Sequence, residues 1–256
     1  MSEVVIVASA FGADAIRRDG HEAWLEVVAR SGATAFEVRR ELFASEAQAG
    51  LPALRTLGEA IAAHGMWSVY STPATLYTAV GELDEAALRL ALDEAAALGA
   101  RFVKLQLGGF GSDAHANGAT IAACVRGSTA RLVIENGQLR EGGLIAQFAG
   151  LFEALEREGY ADALGMTFDI GNWQWPGVAP RDAARQLAAH VEYIHCKAVV
   201  GEGARRFAAA PAADDPLCAD VLQLLPRDVP RGIEFPFDPS RVAADAAHYV
   251  AWLAAA

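Results

Sequence analysis

Cysteine is scarce in this chain. Cys124, Cys196 and Cys218 are the three present, with no CxxC spacing and no even number to pair. That argues against a disulfide framework and fits a reducing compartment. Basic residues are outnumbered, 21 Lys and Arg against 32 Asp and Glu, for a formal net charge of −11. A nucleic-acid partner is therefore not expected, because phosphate contacts need basic surface. A small anionic substrate stays open, since a few local arginines can dominate a cleft. No apolar run approaches the ~20 residues that span a bilayer, so no membrane partner is expected. The opening MSEVVIVAS has no basic segment before its short apolar run, and reads as a first strand and not as a signal peptide. These absences together give a cytoplasmic protein as the expectation. No GxGxxG fingerprint follows that strand, where the sequence is AFGADA, which weighs against a dinucleotide-binding open sheet. No low-complexity linker or compositional break divides the chain, so residues 1–256 are read as one domain.

What is present is core material: 53% of the 256 residues are hydrophobic. Short β-rich runs recur as VVIVAS (4–9), AFEVR (35–39), WSVYS (67–71), FVKLQL (102–107), RLVIEN (131–136), MTFDI (166–170), VEYIHCK (191–197) and GIEF (232–235). Most are nearly continuous apolar segments, the pattern of strands covered on both faces. Helical patterns fill the gaps, with DEAALRLALDEAAALG (84–99) the clearest amphipathic one. Others lie at 22–32, 51–65, 145–159, 181–190 and 242–256, while 115–127 and 211–225 are short or broken by proline. Eight strand–helix units in this length match a (β/α)8 barrel, which takes about 250 residues. The expected fold is therefore a single α/β TIM barrel.

In such a barrel the chemistry sits at the C-terminal strand ends. Those ends carry Glu37 and Arg39, Lys104 and Gln106, Glu135, Asp169, His195 and Lys197, and Glu234. A carboxylate inside an apolar run, such as Asp169, is costly unless something binds it. Singly, each residue has an ordinary explanation as a helix cap, a loop residue or a core histidine. Together, Glu135, Asp169, His195 and Glu234 come from four consecutive strands. Three carboxylates and an imidazole suit one divalent cation, Mn²⁺, Mg²⁺ or Co²⁺, with Zn²⁺ as a further candidate.

The motifs FEVRRE (36–41), VKLQLG (103–108), VIENGQ (133–138), FDIGN (168–172), IHCK (194–197) and GIEFPF (232–237) span nearly the whole chain. In that order they resemble the xylose isomerase-like superfamily, the sugar phosphate isomerase/epimerase group of TIM barrels. The resemblance implies one divalent metal held by Glu135, Asp169, His195 and Glu234. It also implies proton exchange by two glutamates, Glu135 and Glu234. Two departures stand out. Asn172 occupies a position that is commonly histidine in the family, and Ala198 follows Lys197 where an acid is common. The strand ends also hold too few histidines for a multi-zinc nuclease branch.

The expected function is a metal-dependent isomerase or epimerase of a ketose-like or keto-acid sugar, such as a 2-keto-aldonate. The alternatives are a dehydratase of a keto-cyclitol or dehydroshikimate, and a non-catalytic sugar-binding barrel. Lys197 or Lys104 is expected to neutralise oxyanion charge. Glu37, Asn172 and Trp173 are further candidate substrate contacts. Trp173, Trp175 and Phe110 are expected on rim loops, facing the apolar side of a sugar. Arg205 and Arg206, in the loop GEGARRF (201–207), suit capture of a carboxylate or phosphate. The pairs Arg17–Arg18 and Arg39–Arg40 carry the same potential. The partner is thus a small sugar or sugar acid, and self-association is left open.

Overall fold

Parallel strands cannot be joined by tight turns, so the strand–helix alternation demands crossovers. The computed structural model describes residues 2–111, 114–203, 205–212 and 215–256. Its strands are β1 (Val4–Val7), β2 (Ala35–Arg39), β3 (Trp67–Tyr77), β4 (Phe102–Gly108), β5 (Arg131–Glu135), β6 (Gly165–Asp169), β7 (Val191–Cys196), β8 (Ala198–Val200), β9 (Phe207–Ala209) and β10 (Arg231–Ile233). Eight of them close into a parallel barrel in the order β1-β10-β7-β6-β5-β4-β3-β2. The fold is a (β/α)8 TIM barrel, and each of the eight apolar runs supplies one barrel strand. β8 and β9 stand outside it as an antiparallel hairpin.

The helices are α1 (Ala13–Asp19), α2 (Leu25–Arg30), α3 (Leu51–Ala63), α4 (Glu85–Leu98), α5 (Gly118–Val125), α6 (Ile145–Arg157), α7 (Pro180–Leu187), α8 (Pro216–Leu222) and α9 (Val242–Ala255). Helix α4 shows how local chemistry sets boundaries. The Asp84 side chain accepts the Ala87 N–H at 2.9 Å and starts it. Gly99, at φ +69°, ends it in the left-handed region. Between them Leu88, Ala91, Leu92, Ala95 and Leu98 bury one face. Helix α1 was not expected. It buries only Ile16, so it has no apolar stripe to read. Of the two prolines in 211–225, Pro216 does not break α8 but begins it, where its missing N–H costs nothing.

Apart from the irregular stretches of β3 and of the β6–β7 pair, side chains alternate along the strands and sort into two populations. Phe36, Val38, Val103, Leu105, Ile134, Phe168, Ile194 and Cys196 join the large core shared with the helices. Val5, Ala35, Val69, Phe102, Val133 and Tyr193 form a second, separate cluster inside the barrel. Moving two residues toward the C-terminal ends from that plug, the inward positions become Glu37, Lys104, Glu135 and His195. The barrel interior is therefore apolar at the bottom and ionic above.

Candidate functional site

One atom from each of Glu135, Asp169, His195 and Glu234 lies within 4.8 Å of the others. His195 Nδ1 is 2.7 Å from Glu135 Oε1, 3.2 Å from Glu234 Oε2 and 3.7 Å from Asp169 Oδ2. Glu135 Oε1, Asp169 Oδ2 and His195 Nδ1 are buried in this cluster, the first beside Lys104 Nζ at 2.8 Å and the second beside Lys197 Nζ at 2.7 Å. Three carboxylates gathered this closely around one imidazole form a donor set that fits a divalent cation. The charge balance turns on His195: against Glu37, Glu41, Glu135, Asp169 and Glu234 stand Arg39, Lys104 and Lys197, an excess of two negative charges with the neutral imidazole of a ligating histidine and of one with a protonated ring.

Each candidate ligand is held by its neighbours. Asp169 Oδ1 accepts the Asn172 backbone N–H at 2.9 Å, which leaves Oδ2 for the centre. The Asn136 amide bonds both backbone groups of Asp169, at 2.9 and 3.0 Å. Glu135 Oε2 accepts Gln106 Nε2 at 2.6 Å, and Lys104 Nζ approaches its Oε1 at 2.8 Å. Arg39 and Lys197 hold the two oxygens of Glu234 at 2.5 and 2.6 Å. On the far side of the imidazole, His195 Nε2 meets Glu37 Oε2 at 2.8 Å. The Tyr193 hydroxyl donates to that same oxygen at 2.8 Å. Gly232 makes room for both rings: a Cβ there would lie 2.5 Å from Tyr193 Oη and 2.8 Å from His195 Cδ2.

Electrostatics keep the carboxylates ionised despite burial. Burial pushes Glu37 up, but Lys104, His195 and Arg39 outweigh it and hold it at about 2. Glu135 and Glu234 are also lowered against burial, the first mainly by Lys104 and His195, the second by Lys197 and His195. Asp169 is the exception, raised because burial exceeds the pull of Lys197.

A cavity of about 540 Å³ opens above this cluster. Glu234 and Lys197 form its floor with Arg39, and Gln138, Trp175, Arg206 and Phe207 are among its walls. Arg206 Nη1 is anchored on the Gln174 carbonyl at 2.5 Å. Backbone carbonyls neutralise none of its charge.

No protein-family model matches the chain, and no curated protein matches it. Solved structures do. An L-ribulose 3-epimerase superposes with a TM-score of 0.69 at 17% identity, over 100% of this chain and 95% of the other. The IOLI protein with a binding zinc atom gives 0.67 at 12%, over 98% and 96%. A xylose isomerase domain-containing protein from Salmonella typhimurium LT2 gives 0.62 at 12%, over 98% and 97%. The chain shares the TIM barrel fold of these proteins.

Within this barrel, several residues stand elsewhere than the sequence suggested. Trp173 is not on the rim. It is fully buried, 5.7 Å from Phe148 and 5.5 Å from Phe168 between ring centroids. Phe110 is equally buried, against Tyr77 at 4.8 Å. A tight turn over Asn172–Gln174 carries Trp173 inward and brings Trp175 to the cavity. Asn172 is buried, and its amide is spent on the Asn136 carbonyl and on Gln138. Glu37 and Lys104 are also fully buried and lie beneath the cluster, away from the cavity. Of the loop arginines, Arg206 lines the cavity and Arg205 is exposed. Arg17 and Arg18 pair with Asp14 and Asp19 at the surface, and Arg40 pairs with Glu46 and Glu94. Gln138 and Phe207 were not singled out from sequence. Gln138 closes the VIENGQ motif, three residues beyond Glu135, which was the available signal. Among the described residues, no helix is long and apolar enough to cross a membrane.

Proposed function

We propose that the chain is a divalent-metal-dependent isomerase or epimerase that removes a proton α to the carbonyl of a ketose-like or keto-acid sugar. One observation carries this reading: four ligand-type side chains, three buried and Glu234 partly so, converge within 4.8 Å beneath an open cavity. The barrel's likeness to an L-ribulose 3-epimerase is consistent with it.

Glu135, Asp169, His195 and Glu234 would hold the ion, and Glu37 would fix the His195 tautomer by accepting a hydrogen bond from Nε2–H. An ion held there would supply Lewis acidity to the substrate carbonyl. Glu135 and Glu234 do the proton work. Both are held ionised, so either can accept the α-proton at neutral pH. In an epimerase one takes the proton and the other returns one to the opposite face. Lys197, on the cavity floor, balances negative charge developing on substrate oxygen. Arg206 binds a carboxylate or phosphate on an acidic substrate, and Trp175 packs on the sugar's apolar side.

A panel of neutral ketoses and keto-aldonates, incubated with Mn²⁺-loaded and chelated protein, tests the reading by product analysis. Metal-dependent conversion between stereoisomers or between ketose and aldose supports it. A conjugated product absorbing in the ultraviolet indicates dehydration instead. Tight sugar binding with no turnover indicates a binding barrel.

A further inference from the structure

Lys197 follows β7 directly, and its ammonium lies 2.7 Å from Asp169 Oδ2 and 2.6 Å from Glu234 Oε2. Both carboxylates belong to the group that would hold the cation. An ammonium and a divalent ion therefore draw on the same oxygens. The other cations nearby are placed differently. Lys104 touches Glu135 alone of the four, and Arg39 touches Glu234 alone. Among the described lysines and arginines, Lys197 is the one that bridges two of them.

This approach is built into the fold. The Lys197 side chain is 5% exposed, so it is not a surface lysine that happens to fall inward. Its stem crosses Gly171, where a Cβ would come within 2.6 Å of Lys197 Cγ and 2.9 Å of Cε. Gly171 has φ −74° and ψ −42°, which any L-residue adopts. The backbone does not call for glycine there; the lysine stem does. Gly171 lies two residues after Asp169, so one short turn supplies both a candidate ligand and the groove for its counter-charge.

We propose that Lys197 is a built-in competitor of the divalent ion: its ammonium gathers the Asp169 and Glu234 carboxylates in the ion-free protein and lowers the affinity with which those carboxylates hold the ion. When the ion takes over the shared oxygens, the ammonium is freed at the cavity floor, where Lys197 already lies beside the space for substrate. The inference rests on the metal reading above and adds a role for Lys197 and Gly171 that the reading does not require.

Calorimetric titration of the full chain with Mn²⁺ alone tests it. Lys197→Met removes the competing charge. Gly171→Ala keeps the lysine but fills its groove, so the stem must shift from Cγ outward. Each should bind Mn²⁺ roughly tenfold more tightly than the unchanged chain. The double variant should bind no more tightly than Lys197→Met, because both changes act through one contact. A lysine that only stabilises the fold would lower the melting temperature of Lys197→Met and leave the Mn²⁺ affinity where it was. Equal or weaker binding by both single variants overturns this proposal alone. If Lys197→Met fails to fold, Gly171→Ala decides by itself. If none of the proteins binds Mn²⁺, the metal reading falls and this proposal falls with it.

Discussion

The imidazole of His195 is clamped from behind by Glu37: Nε2 lies 2.8 Å from Glu37 Oε2, while Nδ1 of the same ring lies 2.7 Å from Glu135 Oε1. Glu37 is on β2 and His195 is on β7, so the contact spans the barrel interior. It decides which ring nitrogen faces the carboxylates. A carboxylate behind a ligating histidine fixes both its orientation and its tautomer.

Glu37→Gln keeps the shape of that clamp but removes its charge and can present a donor to Nε2. Loss of such a partner typically costs 10- to 100-fold in metal affinity, and a decrease of about that size is expected in a Mn²⁺ titration. The barrel should stay folded, since Lys104 retains Glu135 as a partner. An unchanged affinity would show that Glu37 does not orient His195.

The two loop arginines should separate. Arg206 lines the cavity, so Arg206→Ala should raise KM for an acidic sugar far more than for a neutral one. A lost charge-assisted hydrogen bond costs about 1.5–3 kcal/mol, roughly 10- to 150-fold. Arg205 is exposed, and Arg205→Ala should leave both KM values nearly unchanged. Equal effects of Arg206→Ala on the two substrate types would remove the anion from the account.

His21 should make stability depend on pH. It is 2% exposed, its Nε2 accepts the Arg39 N–H at 3.3 Å, and its ring lies 4.4 Å from Phe43. Burial pushes its pKa from the ordinary 6.5 down to about 4. The unfolded chain therefore binds a proton between those values that the folded chain refuses. The neutral ring's contribution is complete above about pH 6.5 and is lost as pH falls toward 4, by up to about 3 kcal/mol. Urea unfolding at pH 7 and pH 5 reads this. His21→Gln should flatten the difference, and an unchanged pH slope in that variant would refute it.

Much of this architecture is legible in the residues themselves. A parallel strand covered on both faces must be apolar nearly throughout, so a charged residue within it stands out. That is why Glu135, Asp169, His195 and Glu234 could be gathered before any coordinates. Which polar residue faces the cavity and which lies beneath it is not legible in this way. Glu37 and Lys104 occupy inward strand positions like those of the candidate ligands, and only the height of each strand in the closed barrel puts them below the cluster. Trp173 and Trp175 are two apart, and alternation suggests one shared face. The 3₁₀ turn at Asn172–Gln174 has three residues per turn and sends them to opposite sides. The β8–β9 hairpin escaped because its two strands are three residues each and flank a glycine-rich loop. Helix α1 escaped because one buried isoleucine leaves no periodicity to detect.

The central claim is that Glu135 and Glu234 exchange a carbon-bound proton with solvent. Such a C–H is far too weak an acid for a free carboxylate, so exchange requires both the bound ion and a positioned base. The most direct measurement is turnover in D₂O with Mn²⁺ and a substrate found in the panel above, with deuterium located by NMR. The account predicts deuterium at the carbon α to the carbonyl for the unchanged protein, and nearly abolished turnover in Glu135→Gln and Glu234→Gln. If conversion moves a substrate deuterium wholly within the molecule and gains none from solvent, the two-glutamate proton exchange is wrong.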